Sequence, residues 1–372
     1  MIPLLLLVVA QAAPSYRLRA DVLAASQAPS GVIALSGEAK QASWVSAEAL
    51  LWAGDEEIDA LIASVRLVHP DGLGELRAGR MLLATGALRP VHFDGAAGLV
   101  RAPWGTTVEA FAGSPVVPRF AYRGGDWLVG GRVVQRVSGL GHVGVAILRR
   151  TDDGALADQE VGLDAVFLPA ESVDVAARAA YDLVTYGVSE ASIGGGVTLS
   201  PVRVSVLAQH RSPSRILLAT SVFSVLGDVP SNAFLVTADW RAAPRLDVSL
   251  TAGARHVDGW GDEVRLASTL RLDDRGHGAV GVVLTRYGAG GARWMGARVF
   301  VRQPIVDALI ASLEAELART EDGDVWPWAL GAITWRFLPR WDAALAVESS
   351  ASPTYRYAVQ AIGRVGYRWS GP

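Results

Sequence analysis

The sequence predicts an all-β fold: a transmembrane, antiparallel, up-and-down β-barrel of about eighteen strands, within a range of sixteen to twenty-two. Three observations point there. The composition is apolar without a spanning helix, strand-length segments alternate apolar and polar residues, and the connections between them alternate short and long. Of 372 residues, 51% are hydrophobic and 19% charged, against about a quarter charged in an ordinary soluble chain. Mean hydropathy is +0.28. No internal run approaches the ~18 uninterrupted apolar residues that a spanning helix needs. The apolar residues therefore need a large buried core or a lipid-facing barrel surface.

The first residues favour the second. MIPLLLLVVAQAAPS has a short apolar stretch, Ile2 to Ala10, followed by Ala10-Gln11-Ala12, the small-x-small pattern of a cleavage site. This reads as an export signal over residues 1–13, leaving 14–372 as one barrel domain. Cysteine is absent, which removes disulfides, thiolate metal sites and thiol nucleophiles. A net charge of -3 leaves no electrostatic footprint for nucleic acid. The six histidines, His69, His92, His142, His210, His256 and His277, form no close ligand pair and no HExxH motif. There is no GxSxG and no P-loop, and Ile193-Gly194-Gly195-Gly196 has a strand-like context with no helix after it. The expectation is a protein without enzyme activity, metal or cofactor.

From about residue 126 onward, segments of roughly ten alternating residues are separated by turns. In the first of the clear ones, Val173, Val175, Ala177, Ala179 and Tyr181 alternate with Asp174, Arg178 and Asp182. Period two places such sets on opposite faces of a strand. Leu246, Val248, Leu250 and Ala252 alternate with Arg245, Asp247, Ser249 and Thr251, with Arg255 on the same polar face. Val264, Leu266 and Leu270 alternate with Glu263, Arg265, Thr269 and Arg271. The same pattern turns Arg298, Arg302 and Arg336 inward.

VDALIASLEAELART, residues 306 to 320, is the hardest case, because Leu309, Leu313 and Leu317 recur every four positions among good helix formers. Its position between a short turn at Gln303-Pro304-Ile305 and an acidic loop at Glu321-Asp322-Gly323-Asp324 fits a strand instead. At period two, Leu309, Ala311, Leu313, Ala315 and Leu317 face lipid, and Ser312, Glu314 and Glu316 face the lumen. Further on, Trp341, Ala343, Leu345 and Val347 alternate with Asp342 and Glu348. In the last segment Tyr355, Tyr357, Val359, Val365, Tyr367 and Trp369 alternate with Arg356, Gln360, Arg364 and Arg368. Tyr181, Trp240, Trp335, Phe337, Trp341, Tyr355, Tyr357, Tyr367 and Trp369 sit where an interfacial aromatic belt requires them.

Segments of about eleven residues, tilted about 40°, match an apolar membrane band, whereas sandwich strands are about half that length. The connections keep phase over roughly fifteen segments. Leu338-Pro339-Arg340, Ala242-Ala243-Pro244, Ser200-Pro201 and Leu168 to Ser172 fall on an inner, short-turn side. TDDGALADQ from Thr151 and GSPVVPRFAYRGGD from Gly113 fall on the outer side. Residues 85 to 104 and 211 to 232 break the alternation with Pro and Gly. The first carries Arg89, His92, Asp94 and Arg101, which would line a constriction if the segment folds into the lumen; otherwise it is an outer loop or a hairpin completing the wall.

Signal-like start, alternating strands, phased turns and an aromatic-rich terminal strand together resemble the bacterial outer-membrane β-barrel proteins, of the porin type. The last strand departs from that pattern, since Ser370-Gly371-Pro372 follow Trp369 where the family ends on an aromatic. The resemblance implies a place in the outer membrane of a Gram-negative bacterium, contact with its lipid, handling by the barrel-assembly machinery, and a water-filled lumen passing small polar solutes. It also allows a homo-oligomer. The inward charges either select solutes or pair across strands to stiffen the wall. The other functional class is a non-conducting barrel with an adhesion, anchoring or assembly role.

Overall fold

The computed structural model describes residues 15–26, 28–42, 44–53, 58–116, 126–212, 230–257, 259–273, 277–289, 293–351 and 357–371. The described residues form twenty-two strands and no helix. In chain order they are β1 (Ser15–Ala25), β2 (Ala28–Ala42), β3 (Val45–Ala53), β4 (Ile58–Val68), β5 (Gly74–Leu83), β6 (Val91–Arg101) and β7 (Thr106–Pro115). Next come β8 (Leu128–Val137), β9 (Gly141–Asp152), β10 (Ala155–Ala170), β11 (Val173–Asp182), β12 (Gly187–Leu199), β13 (Val202–Arg211), β14 (Ser231–Ala243) and β15 (Leu246–His256). The last seven are β16 (Trp260–Arg271), β17 (Ala279–Tyr287), β18 (Trp294–Val306), β19 (Leu309–Thr320), β20 (Val325–Leu338), β21 (Trp341–Ser350) and β22 (Ala358–Gly371). The export signal expected over residues 1–13 lies outside the described residues.

Each strand pairs antiparallel with the next, and β1 closes on β22 with Leu18 opposite Trp369 and Val22 opposite Val365. Closure removes both sheet edges. A tilted ring of this many strands has a backbone diameter of about 40 Å. The count sits at the top of the expected range and corrects its centre of eighteen. From residue 126 on, the reading of roughly fifteen segments corresponds to β8 through β22. The shortfall is in the first third, where seven strands stand and the alternation is weakest.

That weakness has a physical cause. On β5 and β6 the usual polarity inverts near one rim: Met81 and Phe93, both fully buried, face inward, while Arg80 and Asp94 lie on the outward face. Arg80 is 6% exposed because it reaches Asp94 at 2.7 Å and Asp59 at 2.7 Å and also donates to the Ala60 carbonyl. A buried guanidinium is tolerable only with this many acceptors.

One rim carries both strand ends that flank the closure and most of the short turns: Glu171-Ser172, Ser200-Pro201, Pro244-Arg245, Asp307-Ala308 and Pro339-Arg340. The opposite rim carries the long connections 84–90, 116–127, 212–230 and 351–357. Two boundaries differ from the sequence reading. Gln303-Pro304-Ile305 belongs to β18, where a register shift beside Pro304 carries the strand on to Val306. The stretch from Thr151 to Gln159 is mostly strand around a two-residue turn, with Asp153 and Gly154 in the left-handed region at φ 51° and 74°.

The outward face is aliphatic: Val133, Val145, Ile147, Leu163, Ile193, Leu250, Leu284, Val299, Leu313 and Ile333 are all exposed. Aromatics gather at the short-turn rim, where Trp335, Phe337, Trp341 and Tyr367 follow one another at centroid distances of 5.3, 6.4 and 4.8 Å. Trp369 meets Tyr16 edge-on at 5.1 Å across the closure, and Trp240 lies exposed at the same level. Tyr181 and Tyr357 are exposed near the other rim; Tyr355 lies outside the described residues. An aliphatic band between aromatic girdles is the surface a bilayer requires of a barrel.

Candidate functional site

The face opposite the aliphatics is charged, and cross-strand ion pairs organise it. Asp174 takes Arg203 at 2.7 Å, Arg178 pairs with Glu190, and Arg255 pairs with Glu263 at 2.9 Å. Asp247 stands between Arg241 and Arg271, each at 3.2 Å. Arg298 pairs with Glu314 and lies 5.0 Å over the Trp328 ring, whose indole N–H donates to Glu348 at 2.6 Å. Arg265, Arg302, Arg336 and Glu316 share this inner face without an ion-pair partner among the described residues. Arg245 occupies the β14–β15 turn instead of a strand face. Arg356 lies outside the described residues.

The tightest part of the wall is the closure. Asp342, 2% exposed, receives Arg364 at 2.5 Å, Arg368 at 3.3 Å and Arg19 at 3.6 Å, while Asp21 takes Arg19 at 2.6 Å. One carboxylate thus ties β21 and β22 to β1. Replacing Asp342 by Ala leaves three guanidiniums facing one another beside Asp21, and is expected to cost about 1–3 kcal/mol. A lower urea midpoint for unfolding of the lipid-embedded protein is the measurement that checks it.

The segment 84–90, between β5 and β6, folds into the lumen as a strap. Thr85, Ala87 and Leu88 are buried, and Gly86 reaches the inner face of β10. Gly86 has φ +56°, and a Cβ there would lie 2.4 Å from Asp164 Oδ1 and 2.7 Å from Arg132 Nε. Only glycine fits both the backbone and the space. Gly162 on β10 leaves room for the strap, because a Cβ there would lie 3.3 Å from Ala87 and Leu88 and press on both. Leu88 packs with Met81, Phe93, Phe111, Leu128, Ala146 and Leu148, an apolar cluster on the inner side of β5 to β9 that the strap covers from the lumen.

Arg89 fastens the strap. Its guanidinium donates to Asp158 at 3.1 Å and to Glu160 at 2.8 Å, both on β10. Glu160 is 1% exposed and also accepts the Ser189 hydroxyl at 2.9 Å; Arg150 approaches Asp158 from β9 at 3.8 Å. The link from residue 89 to residues 158 and 160 spans β6 to β10 and bridges the lumen wall.

Of the four residues expected at a constriction, Arg89 is the one on the strap. His92 and Asp94 lie on the outward face of β6, where His92 bonds the Leu61 carbonyl at 2.7 Å, because residues 91–101 form a wall strand. Arg101 ends that strand and donates to the Gly72 carbonyl at the short-turn rim. Segment 211–232 supplies the end of β13 and the start of β14, and residues 213–229 lie outside the described residues. The lumen residues that sequence reasoning missed, Glu48, Arg77, Glu109, Arg132, Asp158, Glu160 and Asp164, belong to β3 through β10. Their signal was present as charges at period two, but the inverted polarity around the strap masked it.

Asp126, Asp152 and Asp153 bring carboxylate oxygens within 4.8 Å of one another at the β9–β10 turn. Both oxygens of Asp126 accept backbone N–H groups, from Asp153 at 2.6 Å and Gly154 at 3.1 Å, so this carboxylate holds the turn.

The fold and its outer band define an outer-membrane β-barrel of the Gram-negative envelope. No family model matches the chain, and no curated protein matches its sequence. Solved structures do. The copper transporter OprC aligns over 96% of this chain and 81% of its own, with TM-score 0.60 and 8% identity. The ferric-catecholate import receptor Fiu from E. coli K12 aligns over 95% and 81%, with TM-score 0.59 and 8% identity. A chain of the E. coli P pilus tip assembly intermediate PapC-PapD-PapK-PapG aligns over 95% and 61%, with TM-score 0.56 and 9% identity. At these identities the likeness is one of fold.

Proposed function

We propose that the barrel is a porin-like channel through which small polar solutes diffuse passively, along a charged lumen that the strap 84–90 narrows from one side. The inner face is the observation that carries this reading. Charges from nearly every strand line it, and sealing them in a dry interior would cost several kcal/mol per ion, so water must reach them. A ring about 40 Å across has room for that water. Side chains that pair across strands stiffen the wall, and those without partners meet the solute. No catalytic step, metal or cofactor belongs to this reading. Lipid, the assembly machinery and possible sister copies are its partners.

The refolded protein in a planar bilayer is expected to give discrete current steps that persist at low voltage. A baseline without steps, from protein that has kept its heat-modifiable barrel mobility, would sink the channel reading and leave an anchoring or assembly role in its place.

A further inference from the structure

On the outward face, at the long-connection rim of β16 to β19, the aliphatic band gives way to arginine. Arg286 on β17 lies opposite Met295 on β18, and Met295 lies opposite Arg319 on β19, so the two arginines flank one methionine in a single row. Strand spacing puts their backbones about 10 Å apart, within reach of one headgroup for two long side chains. Arg293, one step nearer the rim, completes a triangle. These residues line a cavity of about 820 Å³ together with Trp260, which is 67% exposed. The row below is oily, with Leu266, Leu284 and Leu317 all exposed.

The charges do not cancel. Arg286 pairs with Asp262 at 3.0 Å and Arg293 with Glu321 at 3.3 Å, but both guanidiniums remain mostly exposed. Arg319 has no carboxylate partner among the described residues. Three arginines against two carboxylates leave the cavity cationic. An arginine on the lipid face is costly at the bilayer centre and nearly free at the interface. Arg286 and Arg319 each stand one residue from the end of their strand, which is the interfacial level.

We propose that this cavity binds the phosphorylated headgroup of an outer-leaflet glycolipid, with its acyl chains lying over Leu266, Leu284 and Leu317. The long connections place this rim on the cell's outer side, where the leaflet is built from phosphorylated glycolipids. Arg319 supplies a free guanidinium fork, Arg286 and Arg293 share theirs with their carboxylates, and Trp260 contributes an amphipathic ring at headgroup depth. The proposal does not depend on conduction.

Native mass spectrometry of the purified barrel in detergent tests it, with diphosphoryl lipid A as the probe. The wild type is expected to retain one lipid A, the Arg286→Gln/Arg319→Gln variant to bind it about tenfold more weakly or worse, and the lumen variant Arg265→Gln to bind as the wild type does. Heat-modifiable mobility shows that each variant is folded. Enzymatically dephosphorylated lipid A is expected to bind no better to the wild type than to the double variant. Equal retention by wild type and double variant overturns the proposal. So does displacement of lipid A by low-millimolar inorganic phosphate, which would mark a site for free anions. Current steps measured on the same variants separate failure here from failure of the channel reading.

Discussion

Freeing the strap is expected to raise single-channel conductance. Two attachments hold segment 84–90, and their magnitudes decide which variant releases it. Arg89 joins two carboxylates, and breaking a well-buried ion pair on one side costs about 3–5 kcal/mol when the remaining charge stays dry. Detachment relieves that cost, because lumen water then reaches Glu160 and Asp158. Leu88 resists detachment with about 1.5–3 kcal/mol of burial against Phe93, Phe111 and Leu128. Arg89→Ala alone is therefore expected to leave the strap partly docked and to give flickering between the wild-type step and a larger one. Gly86→Val adds a forbidden backbone angle and a side chain that collides with Asp164 and Arg132, so the double variant is expected to hold the larger step throughout. A double variant with correct heat-modifiable mobility and the wild-type conductance would show that the strap only fills a niche in the wall and does not limit flow.

The strap also explains which part of the molecule could be read in the sequence. Wherever one face meets lipid and the other meets water, period-two alternation is direct evidence of a strand, and β8 to β22 follow it closely enough to set Asp174, Asp247, Glu263, Asp342 and Arg364 apart from the aliphatic residues between them. The rule fails where a third environment exists. Beneath the strap the lumen side is apolar, so Met81 and Phe93 point inward, while Arg80 and Asp94 sit outward and satisfy each other. A reader of alternation sees two out-of-phase strands there and counts a loop. The pairing of Arg89 with residues 158 and 160 is a contact across four strands with no local trace in either segment. Its glycine requirement at Gly86 is visible in sequence only as one glycine among 40.

Ala315→Arg is expected to destabilise the barrel more than Glu316→Gln at the neighbouring position. The stretch from Val306 to Thr320 has the leucine spacing of an amphipathic helix, and in a helix Ala315 would fall on the polar side, about 160° from each of Leu313 and Leu317. Arginine has good helical propensity, so a helix would accept it at almost no cost. In β19 the same residue lies on the outward face between Leu313, 59% exposed, and Leu317, 55% exposed, and opposite the outward Val299. There the substitution puts a guanidinium among acyl chains at mid-strand, at about 2–4 kcal/mol. Glu316→Gln changes a lumen residue and is expected to stay within about 0.5 kcal/mol. Urea midpoints of the two variants in lipid vesicles carry the comparison, and equal midpoints would remove the strand and its phase. The large asymmetry is expected because intrinsic propensity spans less than about 1 kcal/mol per residue, and the difference between lipid and water on the two sides of one wall exceeds it severalfold.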